Sequence, residues 1–311
     1  ASLVRIDYED APHETNLLGK LAQAHDPDPD KSGFTPPPDP KGDADAAFAA
    51  APVEVDVGLY AGYEHHNPME MHASTVHYAE GDRLTIYDKS QGAQNCQQVV
   101  TKIFGLPAEQ VTVKNLFVGG AFGSGLRPQY NLFLAVMAAL FLKRSVRVVL
   151  TRQQMFTFGH RPETWQRVRL GAEADGTLQA ILHECKAETS RFEDFTEVVV
   201  NWSGQMYRTD TLRLAYQLVD LDHYTPQDMR APGATHGVHA IEVAMDEMAY
   251  AVGMDPLAFR LKNYAEVEPT AGKPFSTKEL RACYQQGPDR FGWAARPQAL
   301  RQILDALHGL D

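Results

Sequence analysis

The sequence predicts a mixed α/β (α+β) protein built from mixed sheets with packed helices, and three stretches carry that reading. Residues 111–150 read as strand, glycine loop, apolar helix and strand. Val53, Val55, Val57 and Leu59 alternate with polar neighbours, the period of a half-buried strand. Val238, Ile241, Ala244, Met245, Met248, Ala249 and Val252 recur at helical spacing, with Glu242, Asp246 and Glu247 off the stripe. At 311 residues the chain suffices for one large or two modest domains.

Taken in order, Leu3–Tyr8 reads as a lone strand. Residues 25–45, rich in Pro, Asp and Gly, read as an extended or mobile linker. Leu84–Tyr87 is a strand running into Asp88-Lys89-Ser90-Gln91-Gly92. A helix follows with Val99, Val100, Ile103 and Phe104, stopped by Gly105. Val111, Val113, Leu116, Phe117 and Val118 lead as β-type residues into Gly119–Gly125, and Pro128 opens the next helix. Every residue from Leu132 to Leu142 is apolar, which predicts a buried helix and is too short for the ~20 residues of a membrane span. Lys143 and Arg144 suit its C-terminus. Further strands are expected near 168–170, 178–184 and 212–219. Asp255-Pro256 caps a helix to about Lys262, and residues 277–285 and 297–308 can each form one more.

A net charge of −11 argues against nucleic-acid binding, which relies on Lys and Arg. No signal pattern opens the chain, which favours the cytoplasm. Cys96, Cys185 and Cys283 are too few for a four-cysteine iron–sulfur site. Three strand-to-helix junctions, 88–92, 118–128 and 229–237, expose unpaired N–H groups; converging, they would hold an anionic or oxo-bearing ligand, and otherwise they are ordinary connections. The loop Gly119–Gly125 lacks the Lys-Ser/Thr of a phosphate loop and the dinucleotide spacing, so a nucleotide-binding module is poorly supported and a tight structural loop stays open. In His65–His72, Pro68 breaks the helix that metal ligation would need, and a loop of buried polar contacts is expected. Gln91 can donate to a ligand oxygen or face solvent. Arg230 can orient an oxyanion or pair with an acid. His160-Arg161-Pro162 reads first as a surface turn and second as a channel contact; Trp165, Trp202 and Tyr207 read first as core. No Ser-His-Asp or Cys-His arrangement marks a hydrolase.

Five segments in order, EHHNPMEMH, DKSQGAQN, FVGGAFGSG, GHRPET and MRAPGATHGVHAIEVAMDEMA, resemble the molybdenum-binding large subunit of the xanthine dehydrogenase and aldehyde oxidase family, and are closest to bacterial aldehyde oxidoreductases. The resemblance spans about residues 46–266 and implies the family's molybdenum-cofactor-binding fold. It implies a molybdenum hydroxylase that oxidises an aldehyde or N-heterocycle with oxygen from water. The metal is then held by a pterin dithiolene, usually in its cytosine dinucleotide form, with no direct side-chain ligand. By the same resemblance Gln91 bonds the apical oxo ligand, and Gly120, Ala121, Phe122 and Gly123 lie against the metal's ligands. Phe122 and Arg230 are placed at the substrate pocket, and Arg230 with Ala231 forms the second metal-facing loop. Iron–sulfur and FAD groups are expected on partner subunits or other segments, to take the electrons.

The resemblance also implies boundaries: residues 1–24 as the end of a preceding small α/β domain, 25–45 as linker, 46–266 as the first cofactor domain and 267–311 as the start of a second. The family's catalytic base, a glutamate in a Gly-Glu motif, has no counterpart in the sequence. The chain thus resembles an internal portion whose base and remaining cofactor contacts lie outside it, inactive when isolated. Export in a complex with a signal-bearing partner would place it in the periplasm. A non-catalytic scaffold that keeps the fold without cofactor is the alternative.

Overall fold

The computed structural model describes residues 4–30 and 33–295. Among the described residues, ten strands and eight α-helices follow one another as α1 (Leu17–Lys20), α2 (Ala44–Ala50), β1 (Val53–Ala61), β2 (Glu64–His65), β3 (Ala73–Ala79), β4 (Arg83–Asp88), α3 (Ala93–Phe104), β5 (Val111–Lys114), α4 (Tyr130–Leu142), β6 (Val146–Val149), β7 (His160–Arg161), β8 (Thr164–Ala172), β9 (Leu178–Ser190), α5 (Ser203–Met206), β10 (Thr211–Leu221), α6 (Ala234–Ala251), α7 (Pro256–Lys262) and α8 (Leu280–Phe291). The described part is therefore mixed α+β, as the periodicities predict.

One four-stranded sheet has the order β1-β8-β9-β10, antiparallel except for the parallel β9–β10 pair. Its central strand β9 is buried on both faces. Ile181 and Cys185 pack into the core formed with α6, while Ala180 and Leu182 meet Ala44, Ala47 and Phe48 of α2. Among the inward residues sits a fully buried His183, whose ring nitrogens meet Ser203 Oγ at 2.7 Å and Gln166 Oε1 at 3.0 Å. The second sheet, β5-β4-β3-β6, packs against α3 and α4 through Val76, Ile86, Val100, Leu132 and Val136. A two-residue pair, β2 with β7, lies apart from both sheets.

Local signals explain several boundaries. Gly105 ends α3 in the left-handed region at φ +64°, where a glycine carries no Cβ penalty. Asp255 accepts hydrogen bonds from the N–H groups of Leu257 and Ala258, and Pro256 fills the first turn of α7. Within the stretch 25–45, His25 and Lys41 bridge to Leu218 and Leu212 of β10, and α2 begins at Ala44.

Four expectations need correction. Residues 4–8 form no strand and are exposed, because no described strand pairs with them; Leu3 lies outside the described residues. β5 stops at Lys114, and Leu116, Phe117 and Val118 continue as an exposed irregular stretch. The apolar run of α4 is buried on one face only: Leu132, Ala135, Val136 and Ala139 face the sheet, whereas Leu134, Met137 and Phe141 face outward, Phe141 at 83% exposure. A helix apolar all round carries no periodic signal to tell its faces apart. The helix expected at 277–285 lies at Leu280–Phe291, and the one expected at 297–308 falls outside the described residues.

Candidate functional site

The three junctions converge. Gln91 accepts the Gly123 N–H on Oε1 at 3.0 Å, and its own N–H donates to the Gly125 carbonyl at 2.7 Å. The Arg230 N–H donates to the Phe122 carbonyl at 2.8 Å. Phe122 and Ala231 both sit in the left-handed region, at φ +56° and +57°. Strained backbone of this kind is held only where surrounding contacts over-determine it, and it clusters at ligand sites. Because the Gln91 amide oxygen is engaged by Gly123, its NH2 is the end left to donate.

A cavity of about 400 Å³ opens beside this crossing, lined by His65, His66, Asn67, Phe122, Arg161, Met229, Arg230, Ala231 and Thr235. Of the residues singled out by sequence, Phe122, Arg230 and Ala231 line it, as do His65, His66 and Asn67 of the histidine-rich stretch and Arg161, whose second reading is a channel contact. Gln91 and Gly123 stand one hydrogen bond behind Phe122, and Gly120 and Ala121 lie on the same loop without lining the cavity. The Arg230 guanidinium makes no ion pair among the described residues, so the reading of Arg230 as half of an acid pair does not hold. Nor does Gln91 merely face solvent.

Sequence reasoning missed the part played by His160 and Arg161. They form a buried strand, not a surface turn, and Arg161 donates from Nε to Glu64 and from Nη2 to the Arg230 carbonyl at 2.9 Å. Arg161 therefore fixes the loop that carries Arg230. The isolated pattern GHRP gives no sign of this, because its partners lie 97 residues earlier and 69 residues later. The expected polar loop at 65–72 is present: His66 is buried against the Asp228 carbonyl at 2.9 Å. Tyr207 is buried core, but it also lines a separate cavity of about 240 Å³ with Tyr264 and Lys278.

Behind the glycine loop lies a buried polar chain. Lys89 Nζ donates to Ser124 Oγ at 3.3 Å and faces His72 Nε2 at 3.3 Å, while Ser124 Oγ donates to the Ala121 carbonyl at 2.9 Å. Burial pushes Lys89 down to about 8, and burial together with the Lys89 charge pushes His72 down to about 3. On the other side, Glu197 accepts the Gly233 N–H at 2.9 Å, and burial raises it to about 7.

These groups set an acid limit on the fold. Burial lowers His183 and His72 to about 3 and His236 to about 4, and raises Asp88 to about 6 and Glu197 to about 7. Between about pH 4.5 and 6 the unfolded chain binds protons on all three histidines that the fold excludes, whereas the fold keeps two carboxyl protons the unfolded chain has released. The histidines outnumber the carboxyls, so stability falls as pH drops through this window, by roughly 1 kcal/mol per unit. Below about pH 4 the unfolded carboxyls also protonate and the loss steepens. Denaturant unfolding followed from pH 7 to pH 4 checks this; a midpoint that does not move refutes it.

Comparison with known proteins agrees with the geometry. The molybdopterin cofactor-binding domain family matches residues 25–264. The aldehyde oxidoreductase molybdenum-binding subunit of Escherichia coli K12 is 32% identical over 308 residues, covering 98% of this chain and 41% of its own length. An aldehyde oxidoreductase of Megalodesulfovibrio gigas is 26% identical over 287 residues, covering 88% of this chain and 31% of its own. Among solved structures, the aldehyde oxidoreductase from Desulfovibrio gigas superposes with a TM-score of 0.80 at 26% identity, over 94% of this chain and 33% of that one. Quinoline 2-oxidoreductase from Pseudomonas putida 86 shares the fold, with a TM-score of 0.81 at 19% identity over 99% of this chain and 41% of that one. The chain thus spans about two-fifths of the length of the first curated relative, and no described helix is long and apolar enough to cross a membrane. With the family matched over most of its length and its loops meeting at one cavity, the chain belongs to the molybdopterin cofactor-binding domain family of the aldehyde oxidoreductase and xanthine dehydrogenase type.

Proposed function

We propose that this chain is the cofactor-binding portion of a molybdenum hydroxylase that oxidises aldehydes or N-heterocycles with oxygen from water. The observation that carries the proposal is the meeting of Gln91, Phe122-Gly123 and Arg230 through three backbone-anchored hydrogen bonds at one cavity mouth. The residues suit an anionic, oxygen-bearing group: the Gln91 NH2 and the Arg161, Arg230 and Thr235 donors surround the crossing, and the buried Glu197, which accepts the Gly233 N–H, is raised by burial so that only part of it is ionised near pH 7.

When bound, the molybdenum–pterin group supplies the two-electron chemistry and the activation of water. The chain's part is to bind and orient. Gln91 would donate to an oxygen ligand of the group. Gly120, Ala121 and Gly123 keep the loop backbone free to approach it, and Phe122 presents its ring to the substrate. Arg230 and Ala231 close the opposite side, with the guanidinium orienting the substrate's oxygen. The proton acceptor is proposed to come from outside residues 1–311, so the isolated chain is expected to be inactive. Iron–sulfur and FAD partners would remove the electrons, and the cofactor is proposed to be the cytosine dinucleotide form. The domain boundaries at 24, 45 and 266 belong to the same proposal.

Elemental and nucleotide analysis of the chain, purified in its native assembly after growth with molybdate, tests this reading. Molybdenum and cytosine nucleotide near one per chain are expected. A well-folded assembly without molybdenum would overturn the enzyme reading in favour of a scaffold that has kept the fold.

A further inference from the structure

Outside the cavity, one cluster of side chains has the chemistry of a second site. His160 on β7, Glu188 near the end of β9 and His223 just after β10 bring two ring nitrogens and a carboxylate oxygen within 4.8 Å of one another. His160 and Glu188 are buried, Glu188 completely, and His223 keeps a fifth of its side chain exposed. The spacing of 28 and 35 residues from Glu188 hides the group from any motif search.

We propose that His160, Glu188 and His223 bind a divalent metal ion of the zinc class, which braces the loop between β10 and α6.

A fully buried carboxylate is costly unless it is paired and hydrogen-bonded. One oxygen of Glu188 accepts the Glu163 N–H at 3.2 Å; the other faces only the two imidazoles, with no Lys or Arg reaching it among the described residues. Arg161, the next residue after His160, is already committed to Glu64 and to the Arg230 carbonyl. Two histidines and a carboxylate, with an open fourth position, form a donor set that suits zinc. Tetrahedral zinc with bonds of about 2.0–2.1 Å spaces its ligand atoms about 3.3 Å apart. His223 Nδ1 already lies 3.3 Å from Glu188 Oε1. His160 Nε2 lies closer to the same oxygen, so it opens on ligation. Tyr63 and Tyr224 stand edge-on around the cluster, with ring centroids 5.7 Å and 4.9 Å from His160, giving a partly dry shell, while the exposed side of His223 gives an entry path.

The placement gives the ion a consequence. The chain runs from His223 to Gln227, whose N–H donates to the His160 carbonyl at 2.9 Å, and on to Met229, Arg230 and Ala231 at the cavity. An ion at the cluster would join this loop to β7 and β9 and limit its motion.

The competing occupant is a proton shared between an imidazole and Glu188, and zinc content separates the two. The native assembly is incubated with zinc sulfate, exchanged into zinc-free buffer and compared with His223→Ala and Glu188→Gln; the second variant preserves side-chain shape should the first unfold. The wild type is expected to retain about one zinc per chain more than either variant, and each variant to bind zinc about tenfold or more weakly. Zinc is also expected to raise the unfolding temperature of the wild type alone. Retention of equal zinc by all three would assign it elsewhere, for example to the more exposed cluster of His25, Asp194 and Asp220, and would overturn the proposal. So would a wild type that retains none.

Discussion

Gly123→Ala is expected to empty the cofactor site. A Cβ at this position would lie 2.0 Å from the Asp228 carbonyl oxygen, and the residue sits at φ +110°, where L side chains are strained. Both partners in the clash are backbone, so no rotamer change relieves it, and the glycine loop must move off the Arg230 loop. The two costs together are on the order of 3 kcal/mol. If they fall on the arrangement that holds the cofactor, its affinity drops roughly a hundredfold. Molybdenum per chain in the native assembly is the measurement. Gly81→Ala is the control: its φ is +75° and nothing lies within 4 Å of the added methyl, so it bears the backbone strain without touching the site. Wild-type molybdenum content in Gly123→Ala would show that the junction does not hold the cofactor.

Arg230→Ala is expected to do the opposite, keeping the cofactor and losing turnover. The residue's structural work is done by its backbone, which bonds Phe122, Arg161 and Thr235. The side chain lines the cavity without an ion pair among the described residues, so its removal leaves no described buried charge unmatched. If the guanidinium orients the oxygen on which negative charge develops, its loss lowers kcat/KM by about two orders of magnitude. Arg230→Lys keeps the charge but not the planar pair of donors, and is expected to recover only part of the activity. Aldehyde oxidation by the assembled enzyme, with molybdenum content checked in parallel, gives the answer; activity within twofold of wild type in Arg230→Ala would remove the residue from the mechanism.

The parts of this molecule that were legible in sequence are those set by local rules. Asp255-Pro256 places the start of α7 because a carboxylate beside free N–H groups is a local arrangement, and β1 is legible because its burial follows period two. Gln91, Phe122 and Arg230 stood out through their glycine-rich contexts and a family resemblance, and the hydrogen bonds joining them agree with the idea of converging junctions. What stayed hidden depends on distant partners. Arg161 is buried only because Glu64 and the Arg230 carbonyl meet it. β3, the strand linking β4 to β6, escaped notice because Ala73–Ala79 mixes small and polar residues whose burial is set by both neighbours. The outward face of α4 was illegible for the converse reason, since Leu134, Met137 and Phe141 match the residues that face the sheet.

The pairing of β1 with β8 has a consequence for how the chain is made. Ala61 meets Thr164 and Val53 meets Ala172, so this strand's first partner is translated roughly a hundred residues after it. At about 5–20 residues per second, that delay is roughly 5–20 s on the ribosome. Through that interval Val53, Val55, Val57 and Leu59 form an unpaired strand with an apolar face, a segment for a holdase chaperone to cover until β8 and β9 emerge.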